Sequence, residues 1–337
     1  MLNDLKNTYF DDMKKVDDAI RSLLTTDNVK MQEMINWQLK SSGKRLRPLL
    51  MVISSKFGNC EEHIYQFAAV IEIIHMASLI HDDVIDNSDI RRGRLSIQKK
   101  FGQKMAVYMG DYMIFKAFRN LNNSCFDAYK DILNNAKYRK SIEVSLNNSN
   151  KYMDLIENIM TGELGQYNSL YYTDVNEEIY IKNISGKTAA LFELACNIGT
   201  METRCSDSVC EALDNYGRCI GVAFQIRDDI LDFTVGGHKD KPVFCDFANG
   251  IYTLPVIYAL ENPKYKKTVK DMAEEIGKGN DDKIISELLN ILEETKGLER
   301  AKGVLNSYCE EAIKSIALLP DNIHKESLYT LAKSVRL

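Results

Sequence analysis

Proline is scarce in this chain. Five occur in 337 residues, at Pro48, Pro242, Pro255, Pro263 and Pro320, so positions 49 to 241 contain none. An interior proline costs a helix about 3 kcal/mol, and a stretch this long without one is what uninterrupted helices require. Close cysteine pairs are missing too: Cys60, Cys125, Cys196, Cys205, Cys210, Cys219, Cys245 and Cys309 never fall in a C-x-x-C pair. With no signal-peptide pattern at the N-terminus, we expect reduced thiols in a cytoplasmic protein. The central apolar run QFAAVIEIIHMASLI (66 to 80) is shorter than the roughly 20 residues a membrane span needs and contains Glu72 and His75. No segment is expected to span a bilayer. A basic excess is also lacking: the net charge of −5 argues against general nucleic-acid binding, which rests on a basic surface. Any anionic ligand must be met by local basic clusters.

Hydrophobic residues make up 45% and charged residues 27% of the chain, the balance of a globular protein. Apolar residues recur at helical spacing, as in Val70, Ile73, Ile74, Ala77 and Ile80, or Leu191, Leu194, Ala195 and Ile198. Strand-type alternation bounded by hairpin turns is absent, so the fold class reads as all-α. The breaks at TTDN, SSGK, VGGHKDKP and GKGNDD are too short for interdomain linkers. One large domain, 1–337, is expected.

Two short acidic patterns stand out. Asp82, Asp83 and Asp86 form D-D-x-x-D in HDDVIDNSDIRR. If 66 to 86 is one helix, Asp82 and Asp86 share a face with Asp83 beside them. Like charges at that spacing repel, and a lone cluster could simply be a solvated helix end. A cation would turn the cost into a site, and oxygen-only ligands suit Mg²⁺. The same order returns as Asp228, Asp229 and Asp232 in FQIRDDILDF, on a helix otherwise anchored by Ile226, Ile230, Leu231 and Phe233. Two such helices facing each other would form an acidic double wall able to hold several Mg²⁺ ions and, through them, a polyanion. Arg91 and Arg92 follow the first cluster by about one and a half helical turns, as the sequence reads. Lys44, Arg45 and Arg47 stand in SGKRLRP before a predicted helix N-terminus, where guanidinium forks and the helix dipole together favour an anion. His75, about two turns before Asp82, would point the same way as that acid, although a histidine amid Ile and Met is more often a core residue.

The ordered blocks GKRLRP (43 to 48), EIIHMASLIHDDVIDNSDIRRG (72 to 93), MGDYMIFKAF (109 to 118), GELGQ (162 to 166), GKTAALF (186 to 192), FQIRDDILDF (224 to 233) and YTLPVIYAL (252 to 260) make the chain resemble the trans-isoprenyl diphosphate synthases, or polyprenyl synthetases. It looks most like the bacterial long-chain members that make hexa-, hepta- or octaprenyl side chains of quinones. The resemblance implies a bundle of antiparallel helices around a deep central cavity, usually dimeric, with three Mg²⁺ ions per site. By position, it implies that Asp82, Asp86 and Asp228 bind Mg²⁺ directly, with Asp83, Asp229 and Asp232 in or beside the shell. Lys44, Arg47, His75 and Arg92 match an isopentenyl diphosphate site; Arg91, Lys187, Thr188, Gln225 and Lys241 match groups around an allylic diphosphate, and Asp82, Asp86, Lys187 and Asp228 are the implied catalytic set. Two departures occur: the usual Gly-Lys is Asp240-Lys241, and a position often basic before Thr-Leu-Pro is Ile251, while Asp246 keeps the family's following acid.

The implied chemistry is ionisation of an allylic carbon–oxygen bond, attack by the isopentenyl double bond, and proton loss to the released pyrophosphate. Charge neutralisation of the leaving diphosphate is the main catalytic effect available. Family members close the product tunnel with aromatics four and five positions before the first motif; here those positions are Ser78 and Ala77. A product beyond farnesyl length is therefore expected, from a farnesyl or geranylgeranyl primer. A geranylgeranyl or farnesyl diphosphate synthase and the catalytic subunit of a heteromer remain alternatives. A terpene cyclase or head-to-head coupling enzyme would not need the isopentenyl set, and a non-catalytic subunit would be expected to lose acids that this chain keeps. Membrane contact is expected to be peripheral at most.

Overall fold

The computed structural model describes residues 2–41, 43–133, 168–234, 244–276 and 281–337, with single positions 153, 157, 161, 162, 164 and 165. The chain divides into two compact units, each discontinuous in sequence. Lys241, named above as a phosphate ligand, lies outside the described residues.

The first unit takes residues 1–154, 194–214 and 322–327. Helices α1 (Leu2–Thr8), α2 (Phe10–Leu24), α3 (Val29–Leu39), α4 (Leu46–Ser55) and α5 (Ile64–Ile85) precede a hairpin, β1 (Ile90–Arg91) with β2 (Arg94–Leu95), then α6 (Ile97–Phe101) and α7 (Gln103–Leu133). Helix α5 is the hub, packed by α2, α4 and α7. It is apolar nearly all round, with Phe67, Val70, Ile73 and Ala77 buried, as a core helix is. By length and composition alone α5 could cross a membrane, which the shorter sequence run did not suggest, and 67% of its apolar window is buried within the fold.

The second unit takes residues 155–193, 215–321 and 328–337. Helix α8 (Glu177–Ile184) passes through a π-helical turn (Ser185–Ala189) into α9 (Ala190–Met201), which belongs to the first unit from Leu194 on, and α10 (Asp207–Asp232), part of the second unit from Asn215 on, carries the second acidic cluster. Helices α11 (Cys245–Ala248), α12 (Leu254–Leu260), α13 (Pro263–Glu275), α14 (Asp281–Glu294), α15 (Gly297–Ser315) and α16 (Ile323–Val335) follow. The apolar core gathers Ile226, Ile230, Phe233, Phe244, Phe247 and Val256 with the inner faces of α14 and α15. Asn176 caps α8 by accepting from the Ile179 amide, and Asn262 caps α13 from the Lys264 amide.

The helical reading holds, with one correction. A hairpin exists where no strand was expected, because Arg92 (φ 52°) and Gly93 (φ 71°) both adopt left-handed backbone. That conformation closes a two-residue turn whose twist matches antiparallel strands. Two-residue strands are too short to print an alternating pattern.

The loop before α4 is fixed electrostatically. Arg45, itself at φ 54°, donates from Nη1 to Glu72 Oε1 at 2.7 Å and from Nε to Asp17 Oδ1 at 3.2 Å. Removing one partner of a buried pair leaves an uncompensated charge. Glu72→Ala is expected to destabilise the protein by roughly 3 kcal/mol in equilibrium urea unfolding; a loss under about 0.5 kcal/mol, the scale of an exposed pair, would show that the bridge does not fix this loop.

Candidate active site

Helix α5 delivers the first cluster at its C-terminus. Asp82 is partly buried, Asp83 buried, and Asp86, the C-cap residue, exposed. The chain then leaves the helix through Asn87 at φ 49°, so Arg91 and Arg92 ride on the hairpin and not, as the spacing suggested, on a continuing helix. Arg91 grips Asp83 Oδ1 from Nε at 2.8 Å and from Nη2 at 2.5 Å. Beneath this pair Gln98 donates to the carbonyls of Asp83 (2.6 Å) and Ser88 (2.9 Å), tying α6 to the helix end. Arg92 donates from Nη1 to the Ser41 carbonyl at 2.8 Å. Its guanidinium lies so close over Gly43 that a Cβ there would meet it at 2.5 to 2.8 Å, which is why a glycine opens the GKRLRP block.

These arginines enclose His75. Burial, then Arg47, Arg92, Arg45 and Arg91, hold its imidazole well below the usual histidine range, so it is neutral at physiological pH. Arg45 is already paired with Glu72 and Asp17, and Arg91 with Asp83; the remaining positive field around the neutral ring favours an anion. Lys44 is exposed beside it, and Arg47 projects from the first turn of α4. Down the same helix, Ser78 is partly accessible and Ala77 fully buried. Helical phase explains the split: Ser78 is one turn from Asp82 on its face, whereas Ala77 is rotated about 140° away.

In the second unit α10 presents Asp228 partly accessible and Asp229 and Asp232 buried. Asp229 accepts from Tyr180 Oη at 2.6 Å and Gln225 Nε2 at 2.7 Å. Gln225 in turn accepts from Thr188 Oγ1 at 2.7 Å. Thr188 and Gln225, matched above to a diphosphate, thus form a chain that aims Asp229. Thr188 and Lys187 occupy the π-helical turn, a rare geometry that recurs at functional sites. Burial pushes the Asp229 carboxyl up to about 8, with Asp246 and Asp228 adding to the rise and the bonds from Tyr180 and Gln225 opposing it.

The donor set fits a divalent metal. A buried carboxylate whose donors are neutral and whose charged neighbours include two more acids is relieved by a cation. Among the described residues no three acidic, histidine or cysteine side chains converge closely enough to hold an ion by themselves. Mg²⁺ keeps several waters and is typically completed by phosphate oxygens. Asp82 and Asp86 in the first unit, and Asp228, Asp229 and Asp232 in the second, are the residues that would hold it. Asp83 Oδ1 is held by Arg91 through Nε and Nη2.

Sequence reasoning missed Tyr180, Gln98 and the anchoring part of Arg45. Tyr180 offered no signal, since its contact with Asp229 spans loops and helices; Gln98 and Arg45 lay within or beside matched blocks.

A profile of the family described as polyprenyl synthetase matches residues 28–292. The chain is 30% identical over 327 residues to heptaprenyl diphosphate synthase component 2 of Bacillus subtilis (96% of this chain, 87% of that protein). It is 32% identical over 327 residues to geranylgeranyl diphosphate synthase of Saccharolobus solfataricus (95% and 93%). The solved decaprenyl diphosphate synthase of Rhodobacter capsulatus superposes with a TM-score of 0.83 at 28% identity, covering 99% of this chain and 98% of that one. The chain belongs to the polyprenyl synthetase family. Its class is that of the prenyltransferases.

Gly43→Ala should push the Arg92 guanidinium aside and weaken isopentenyl diphosphate binding roughly tenfold, about 1.4 kcal/mol, by calorimetry. An unchanged dissociation constant would show that Arg92 contributes nothing from this position.

Proposed function

We propose that the chain is a Mg²⁺-dependent trans-prenyltransferase that adds isopentenyl diphosphate repeatedly to a farnesyl or geranylgeranyl diphosphate primer, making a long-chain polyprenyl diphosphate for quinone side chains. The observation that carries this reading is the arginine pocket around neutral His75, built on the same helix that ends in Asp82 and Asp86. Lys44, Arg47 and Arg92 bind the isopentenyl diphosphate there as charge-assisted donors. Neutral His75 hydrogen-bonds the same diphosphate without adding a proton to it. In the second unit, Lys187 donates to the allylic diphosphate, and Thr188 and Gln225 orient Asp229. Asp82, Asp86, Asp228, Asp229 and Asp232 would hold Mg²⁺, which would supply charge to stabilise the departing diphosphate. The allylic carbon–oxygen bond then breaks, the isopentenyl double bond supplies the electron pair for the new carbon–carbon bond, and the proton leaves with the released pyrophosphate.

Small Ser78 on the Asp82 face supports a product longer than geranylgeranyl, since it leaves room for a growing tail. Bare apolar side chains on α7, Tyr108 at 65% and Phe115 at 73% exposure, support a homodimer. A second reading, the catalytic half of a heteromer, is favoured by the similarity to a protein named as component 2 of a synthase.

The test is turnover of purified protein with Mg²⁺, isopentenyl diphosphate and each primer, with chromatography of the products. Long-chain products from the protein alone support the first reading; turnover that needs a second polypeptide supports the heteromer; none under either condition contradicts both. Ser78→Phe should shorten the main product by at least one isoprene unit, whereas Ala77→Phe should chiefly overpack the core and lower stability by about 1 to 3 kcal/mol. An unchanged product distribution from Ser78→Phe would remove that residue from the tail's path.

A further inference from the structure

The hairpin that carries Arg91 and Arg92 cannot hold itself. Its strands are two residues each, its register sets Arg91 directly opposite Arg94, and like charges across a ladder repel. A lone two-stranded ribbon is marginal even without such a pair. One side is tied down by Asp83 and Gln98, as described. The other rests on Trp37 of α3, the only tryptophan in the chain. The Arg94 guanidinium sits over the Trp37 ring at 4.1 Å from its centroid, and Lys100 Nζ lies over it at 3.1 Å. The indole Nε1 donates to the Leu95 carbonyl at 3.0 Å. A face of π density accepts two cations that would otherwise repel Arg91 and each other, while the N–H fixes the second strand along its length.

We propose that Trp37 is a positioning residue for isopentenyl diphosphate: by clamping Arg94 and Leu95 it sets, through the two-residue turn, the reach of Arg92, while Arg91 is held separately by Asp83. The proposal rests on the reading above, in which Arg92 meets that substrate. Arg92 adopts left-handed backbone (φ 52°), a conformation that a non-glycine residue keeps only where its surroundings hold it. Without the clamp the turn relaxes, and the Arg92 guanidinium loses its place over Gly43. The cost falls on binding of the second substrate and spares the ionisation step.

The test compares wild type, Trp37→Leu, Trp37→Phe and Arg92→Ala in the full-length protein with Mg²⁺, measuring kcat and the separate KM values for isopentenyl and allylic diphosphate. Trp37→Leu should raise the isopentenyl diphosphate KM about tenfold with kcat and the allylic KM within twofold; Trp37→Phe, which keeps a π face but loses the N–H, should restore most of it, to about threefold. Because Trp37 is the sole tryptophan, wild-type fluorescence gives a readout independent of turnover and of any variant's folding. It should change saturably with isopentenyl diphosphate and not in Arg92→Ala. Equal KM values in Trp37→Leu and wild type, or fluorescence unmoved by saturating isopentenyl diphosphate, would overturn the proposal while Arg92→Ala still raises that KM. If Arg92→Ala leaves the KM unchanged, the substrate assignment of the hairpin fails first and the role of Trp37 falls with it.

Discussion

Carboxylates gathered at the C-terminal end of a helix meet the negative end of its dipole as well as one another. Both acidic clusters of this protein stand in that position, Asp82, Asp83 and Asp86 at the end of α5 and Asp228, Asp229 and Asp232 at the end of α10. Each lies on a helix whose other faces are packed in a core, so neither can relax by turning its acids to solvent. The local free energy is therefore lowered by cations, and the surroundings of both clusters follow from that demand.

The chain answers it differently in its two units. In the first, the middle acid is satisfied from within: Asp83 is held by Arg91, which leaves Asp82 and Asp86 as the acids turned outward. Burial, and then the charges of Arg47, Arg92, Arg45 and Arg91, keep His75 neutral, and this ring and the outward acids belong to one helix a few turns apart. In the second, among the described residues the corresponding acid Asp229 accepts from the neutral donors Tyr180 and Gln225, with Asp246 and Asp228 raising its pKa. Its raised pKa is the signature of charge that the protein's own hydrogen bonds leave uncompensated. Under the proposed function, Mg²⁺ would bring positive charge to the acids of each unit, and the diphosphate it carries an anion to the arginines.

Much of this was legible in the sequence because it is local. Absence of proline announced long helices, the repeated D-D-x-x-D announced two acidic helix ends, and the expected helix over 66 to 86 lies within one residue or two of Ile64–Ile85. What was not legible depends on tertiary contact or on backbone that no residue type dictates. The π-helical turn under Lys187 and Thr188 has no compositional mark. The Thr188, Gln225, Asp229 and Tyr180 network joins residues from separate helices, so the bonds by which Gln225 aims Asp229 left no mark in the sequence. Arg92 and Gly93 form a turn that the strands on either side are too short to signal. Ala77 and Ser78 looked equivalent as small residues, and only helical phase separates the buried one from the accessible one.

The central claim is that the acid-bearing helix ends are completed by a divalent cation arriving with a diphosphate. Calorimetric titration of inorganic pyrophosphate into the protein, with and without Mg²⁺, tests it most directly. The account predicts tight binding only with Mg²⁺, weakened on the order of a hundredfold, about 2.7 kcal/mol, by either Asp82→Asn or Asp228→Asn. Pyrophosphate binding of equal strength without Mg²⁺, or indifferent to both substitutions, would contradict it.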